Sequence, residues 1–261
     1  MDITTILGLI VGLTAIIGAM YFKHLSPTIF LNPAAFFVII VGTVATILNS
    51  YPLKNLKSIG ALFKIIFTNQ QSTDIAELIK QMVALANEAR KEGLLSLENR
   101  ASEIEDPFLR KGLRMVIDGM GDEYIMDVLG TEIESMEARH ETNAGIFTSA
   151  GTYAPTLGVL GAVFGLIAAM ANIDNTEAVA EAIAAAFIAT ILGIFTGYVL
   201  WHPFAKKLKV KSAEEVLIKS MIIEGLLSIQ KGDSPLMVQE KLLSTLPESQ
   251  QNEVLESLKQ Y

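Results

Sequence analysis

The sequence contains no cysteine. Disulfides, thiolate nucleophiles and cysteine-held metals are therefore excluded, although the absence does not indicate a compartment. Histidine is scarce: only His24, His140 and His202 occur. Each lies near the edge of an apolar stretch, where a polar ring at a membrane interface is the simpler reading. No second histidine or carboxylate group matches metal-ligand spacing. There is no glycine-rich phosphate loop with a lysine and no His-Glu-x-x-His pattern. The expectation is a protein that is not an enzyme and holds no cofactor and no metal. Charge is also short, at 18% of residues, where a soluble domain carries about 25%. The net charge of −8 lacks the basic footprint that nucleic acid requires. The start, Met1-Asp2-Ile3-Thr4, has no positively charged leader and no bounding cleavage site. The first apolar run is expected to remain as a membrane helix.

What is present is apolar and blocky. Hydrophobic residues make up 51% of the 261 positions, and the mean hydropathy is +0.43. Four stretches lack charge for about the roughly 20 residues that a bilayer crossing needs: Ile3–Phe22, 33–51, 146–171 and 183–201. Pro33 follows Asn32 as a first-turn proline follows a cap. Short loops join the first to the second and the third to the fourth. The second of these, 172–182, carries Asp174, Glu177 and Glu181 and no base. The loops contribute one basic residue, Lys23. The opposite side has Lys54, Lys57 and Lys64, then Lys206, Lys207, Lys209 and Lys211. The positive-inside bias therefore places both termini and the middle segment in the cytoplasm.

The two cytoplasmic pieces read as helical. Ile75, Leu78, Ile79, Met82, Leu85, Ala86 and Ala89 mark one face of a helix begun by Ser72 or Thr73 and interrupted near Gly93. Asp106-Pro107 is a helix start. Asp122 is expected to cap a helix with Tyr124, Ile125, Val128, Leu129, Ile133 and Met136 on its apolar face. That helix meets no breaker before the third span. Ser212-x-x-Glu215 reads as a capping box opening a further helix. Nothing alternates with period two. The expected fold is an all-α integral membrane protein in four segments: a hairpin at 1–51, a helical cytoplasmic domain at 52–145, two spans at 146–201 and a cytoplasmic tail at 202–261.

Glycines at spacing four recur in the spans, at Gly8 and Gly12, Gly161 and Gly165, and Gly193 and Gly197. Such faces mark close helix contacts, within one chain or between chains. Pro155 lies inside the third stretch, where a kink or cavity is expected. Pro203 is expected to end the fourth helix. The polar residues of these two spans are hydroxyls: Thr148, Ser149, Thr152, Tyr153, Thr156, Thr190, Thr196 and Tyr198. Each either bonds its own backbone or lines a path. No Asp, Glu, Lys or Arg lies in any span. An ion path needs such a group, so a conducting role would require a carboxylate from another chain.

Three stretches carry a family resemblance: Ala89-Arg90-Lys91-Glu92-Gly93-Leu94-Leu95-Ser96-Leu97-Glu98; Ala150-Gly151-Thr152-Tyr153-Ala154-Pro155-Thr156-Leu157-Gly158-Val159-Leu160-Gly161; and Ala189-Thr190-Ile191-Leu192-Gly193-Ile194-Phe195-Thr196-Gly197-Tyr198 with His202-Pro203. In this order and on this layout the chain resembles the MotA/PomA family of flagellar stator subunits. The resemblance implies a pentameric ring around a dimer of a single-span partner, MotB, whose membrane aspartate takes up the ion. It also implies that a cytoplasmic surface drives the rotor protein FliG. By the same correspondence Arg90 and Glu98 face the rotor, Pro155 and Pro203 are the functional prolines, and Thr190 faces the pore. Sodium-driven relatives carry threonines at matching positions, where hydroxyl oxygens suit a hard cation. Here the third-helix position is Ala162, and Ala189 precedes Thr190. The coupling ion is therefore expected to be the proton.

Two other readings compete. An ExbB/TolQ-like energy-transducing ring shares the paired later helices, but those proteins have a single span before the cytoplasmic domain, and this chain has a hairpin. An unrelated transporter would show repeats or a charged intramembrane site, and neither is present.

Overall fold

The computed structural model describes residues 2–24, 32–68 and 74–259. It is all-α, with no strand among the described residues, and four helices are long and apolar enough to cross a membrane. The chain divides into two compact units. A membrane unit holds residues 1–69 and 139–210, and an extramembrane unit holds 70–138 and 211–261.

In the membrane unit, α1 (Ile3–Phe22) starts on Asp2, whose side chain accepts from the Thr5 amide. The second span opens with α2 (Pro33–Phe36). The Asn32 Oδ1 accepts from the amides of Ala34 and Ala35 at 3.1 and 3.2 Å, with Pro33 in the first turn. It continues through a π-helical turn, Phe37–Val41, into α3 (Gly42–Ser50). Tyr51 adopts extended backbone just before Pro52, a conformation that proline imposes on its predecessor. Two short helices follow, α4 (Leu53–Leu56) and α5 (Ile59–Phe67). Phe63, Phe147, Trp201 and Phe204 form an aromatic cluster with ring centroids 5.3–6.5 Å apart, mostly edge-on. Beside it the start of the chain is tied down. The Asp2 amide donates to the Phe67 carbonyl at 2.9 Å, and its carboxylate pairs with Lys207 at 2.6 Å. That ammonium, aided by the Thr4 hydroxyl, holds the Asp2 carboxyl far below the usual carboxylate range.

The extramembrane unit is built on α6 (Ile75–Glu92), capped by Asp74 at 2.9 Å to the Ala76 amide. The Ser72 or Thr73 start expected from the sequence lies outside the described residues. Gly93 ends α6 at φ +87°, a left-handed conformation that glycine adopts without strain. A 3₁₀ turn (Leu94–Ser96) leads to α7 (Leu97–Glu103), and Asp106 caps α8 (Pro107–Ile117) at 2.8 Å to the Leu109 amide. The apolar face read from the sequence is the buried one. Ile79, Met82, Leu97, Leu109, Leu113, Ile125, Leu129, Met221 and Leu226 are shut off from solvent in one cluster. Each such side chain contributes about 1.5–3 kcal/mol by leaving water.

The helix α9 (Asp122–Ala171) runs 50 residues without interruption, as the lack of a breaker implied. Asp122 is not its cap. It lies in the first turn, where its charge suits the helix dipole and pairs with Lys231 at 3.3 Å. Tyr124 does not belong to the buried face either, being 56% exposed.

The next helix begins earlier than expected. Asn175 caps α10 (Thr176–Phe195) through the Ala178 amide, so Glu177 and Glu181 sit in its opening turns. A π-helical turn, Thr196–Trp201, leads directly into α11 (His202–Gln230). Two expectations fall here. Pro203 does not end the helix, because the wider turn before it makes room for the ring against the preceding carbonyls, and the His202 amide bonds back to Gly197. Ser212-x-x-Glu215 caps nothing, because it lies in the middle of α11. A capping box works only where amides are unsatisfied, and an unbroken helix has none there.

The tail folds back as α12 (Pro235–Ser244), capped by Ser234, and α13 (Glu248–Lys259). Lys241 fixes the turn. Its ammonium reaches Asp233 at 2.8 Å, the buried Ser228 hydroxyl at 3.1 Å and Glu224 at 3.7 Å. The lysine beside it lowers the Asp233 carboxyl, and the carboxylate in turn raises Lys241. A carboxyl lowered on folding stabilises the fold above its ordinary value of 3.8 and loses that contribution as pH falls through the lowered one. Asp233→Asn is expected to lower the melting temperature at pH 6. The difference from the parent should shrink as the pH is taken below 4, measured by circular dichroism in detergent.

Candidate functional site

The third and fourth spans meet through their smallest residues. A methyl group placed on Gly158 would come within 2.8 Å of the Ala189 carbonyl and 3.0 Å of the Gly193 Cα. One placed on Gly193 would lie 2.7 Å from the Ala154 carbonyl, and one on Gly165 would lie 2.9 Å from the Ala182 carbonyl. Backbone therefore rests on backbone along α9 and α10, which only glycine and alanine permit. The spacing-four glycines of these spans serve packing within the chain. In α1 the pair splits: Gly12 abuts Val199, and Gly8 has no neighbour.

This seam organises the candidate residues. Gly161 meets Ala189 at 3.1 Å on the same measure, so Ala162 and Thr190, the next residue on each helix, flank one contact. Both are half-buried. The Thr190 hydroxyl donates to the Ala186 carbonyl at 3.2 Å, and its oxygen lone pairs accept no hydrogen bond among the described residues. Thr148, Thr152 and Thr156 likewise donate to carbonyls four residues back, at 3.2, 3.0 and 3.3 Å. Ser149 instead shares a hydrogen bond with the Tyr51 hydroxyl at 2.9 Å.

Pro155 stands inside α9 and removes the amide that would satisfy the Gly151 carbonyl. Gly197 lies against that break, since a methyl there would sit 2.7 Å from both the Gly151 oxygen and Pro155 Cγ. His202, the residue before Pro203, covers the other side of Gly151. A methyl on Gly151 would fall 2.7–2.9 Å from its ring atoms. The two prolines named from the sequence thus border one junction. Pro155 is half-buried within it, and Pro203 is exposed just beyond. The sequence reading missed Gly151, Gly197 and His202 as members. The four-residue spacing of Gly193 and Gly197 was visible, but nothing in the sequence brings an imidazole onto Gly151.

Arg90 and Glu98 belong to the extramembrane unit. Both are exposed, Arg90 in the last turn of α6 and Glu98 in the first turn of α7. Gly93 separates the two helices, so the spacing of eight does not place them on one helical face. Each sign suits the helix end on which it stands, and no ion pair holds either among the described residues. Arg100 clamps the corner, reaching Glu88 of α6 at 3.1 Å. No group of metal-ligating side chains occurs among the described residues.

Residues 100–221 match the MotA/TolQ/ExbB proton channel family. Motility protein A of Bacillus subtilis is 48% identical over 247 residues, covering 95% of this chain and 92% of that protein. The chain belongs to the motility protein A family. Motility protein A of Helicobacter pylori is 38% identical over 252 residues, covering 94% and 95% of the two chains. Among solved structures, the flagellar MotAB stator complex from Bacillus subtilis matches with a TM-score of 0.91 and 47% identity. That match covers 97% of this chain and 99% of the other. C. jejuni MotAB matches at 0.90 with 32% identity, covering 95% and 97%. Family membership makes the chain an inner-membrane stator subunit rather than an enzyme.

The seam yields a direct expectation. In Gly158→Val the added atoms meet main chain that cannot move aside. Overpacking of this kind costs about 1–3 kcal/mol. The variant should melt at lower temperature in detergent and accumulate less in membranes, and an unchanged melting curve would refute the contact.

Proposed function

We propose that this chain is the ring-forming, proton-conducting subunit of a flagellar stator. In this reading it works with a MotB-type single-span partner and turns ion flow into torque on the rotor. The observation that carries the reading is the paired wall of α9 and α10, which has hydroxyls and close-packed glycines but no Asp, Glu, Lys or Arg in its spans. Such a wall can guide an ion but cannot bind and release a proton by a carboxylate of its own. The aspartate that does so comes from the partner, and the relatives solved as MotAB complexes fit that division of labour. The ring is a pentamer of this chain, with both termini and the extramembrane unit in the cytoplasm, as the lysine bias favours.

Proton coupling follows from the residues flanking the Gly161–Ala189 contact. A bare sodium ion needs several oxygens to replace its water. Ala162 offers none there, and Thr190 offers one hydroxyl. Swimming speed is expected to follow the proton-motive force and to be unchanged when external sodium is replaced by potassium. Speed that tracked sodium and ignored the proton gradient would refute this.

Arg90 and Glu98 act as the contact with the rotor protein FliG. They present opposite charges on a corner turned at Gly93 and braced by the Arg100–Glu88 pair, and no ion pair holds either charge among the described residues. The double reversal Arg90→Glu with Glu98→Lys should leave flagella assembled and the protein at normal levels while rotation is lost or impaired. Normal swimming would remove the case for these two residues as rotor contacts.

A further inference from the structure

We propose that His202 accepts the coupling proton on the cytoplasmic side of the path and hands it to water. The proposal rests on the proton-coupled reading above. Histidine is the side chain suited to take and release a proton near neutral pH. His202 sits directly after the charge-free fourth span, twelve residues beyond Thr190, or about 18 Å along the helix at the rise of an α-helix.

Its setting is built for the ring. The imidazole lies over Gly151, where even a methyl would collide with Cγ, Cδ2 and Nε2. The Tyr198 ring flanks it at 5.3 Å. It is half-buried, yet neither ring nitrogen has a hydrogen-bond partner among the described residues. Both nitrogens remain available to water or to an acid on another chain.

The charged surroundings are few. On its own helix the nearest cation is Lys206, one turn on, and Tyr198 is the nearest hydroxyl before it. The facing stretch of α9, residues 147–155, carries Thr148, Ser149, Thr152 and Tyr153 and no charge. The α1 helix, which packs on the turn before His202, has none across Ile3–Phe22.

The transfer balances simply. The partner's carboxylic acid loses its proton and becomes carboxylate. A water chain past Thr190 carries the proton to an imidazole nitrogen, forming imidazolium, which releases it to bulk water and returns to neutral imidazole.

The test is the speed of lightly loaded flagella in cells bearing the complete stator, over a range of cytoplasmic pH set with a permeant weak acid. His202→Gln keeps a polar side chain but cannot become charged. It should slow rotation about tenfold, less than the roughly hundredfold or more that a positioned acid–base group supplies, because water can partly substitute. It should also flatten the dependence on internal pH. His202→Ala should behave alike and recover speed when imidazole is added. Two results overturn the proposal. One is parental speed with an unchanged pH profile in His202→Gln. The other is slow variants that purify as intact complexes, keep the parental profile and ignore imidazole, which would mark a packing role. If the parent itself runs on sodium with no proton gradient, the proton-coupled reading has failed, and the proposal falls with it for that separate reason.

Discussion

The arrangement depends on backbone touching backbone between α9 and α10. In lipid there is no gain in hiding one apolar side chain behind another, because the solvent is apolar too. What holds two spans together is close dispersion contact, and Gly158 and Gly193 bring the main chains within the reach of a single methyl group. That approach sets the level at which Gly161 stands against Ala189 and Gly197 beside Pro155. The same seam brings His202 over Gly151. Larger residues would separate the helices and scatter all three pairings.

The membrane unit also shows how a charge-free helix accommodates irregular backbone. Two π-helical turns, Phe37–Val41 and Thr196–Trp201, occur in the second and fourth spans. The second of them lies just ahead of Pro203, which would otherwise force its ring against a carbonyl of the preceding turn. The cost of Pro155 is met differently, by packing Gly197 against the break instead of widening the helix. Ions and ion pairs are kept at the margins, as with Asp2 and Lys207 beside the aromatic cluster. A wall of this kind can border an ion path while the group that binds the ion sits on another chain.

The extramembrane unit follows the rules of water-soluble proteins. A single apolar cluster is closed by caps at Asp74, Asp106 and Ser234 and by the Lys241 network around Ser228 and Asp233. Its exposed corner at Gly93 carries charges that its own packing does not require, whereas the buried leucines beside it are fixed by burial.

Composition, charge gaps and periodicity determined by themselves the four spans, the all-α class and the buried face of α6. Each of these depends on residue type at a fixed spacing, which the linear order records. The caps at Asn32 and Asp106 were legible for the same reason, because a cap acts within three residues. The failures came where a local signal was overruled from a distance. Ser212 and Glu215 have the letters of a helix start but lie inside α11, and Pro203 has the letters of a helix end but follows a widened turn. Pro155 and Thr190 could be named from the family pattern, but their neighbours could not. Only the tertiary structure placed Gly197 against the carbonyl that Pro155 frees and laid His202 over Gly151, 51 positions away in the chain. Those pairings come from the depth to which glycines let two helices approach, and that depth is a property of the pair.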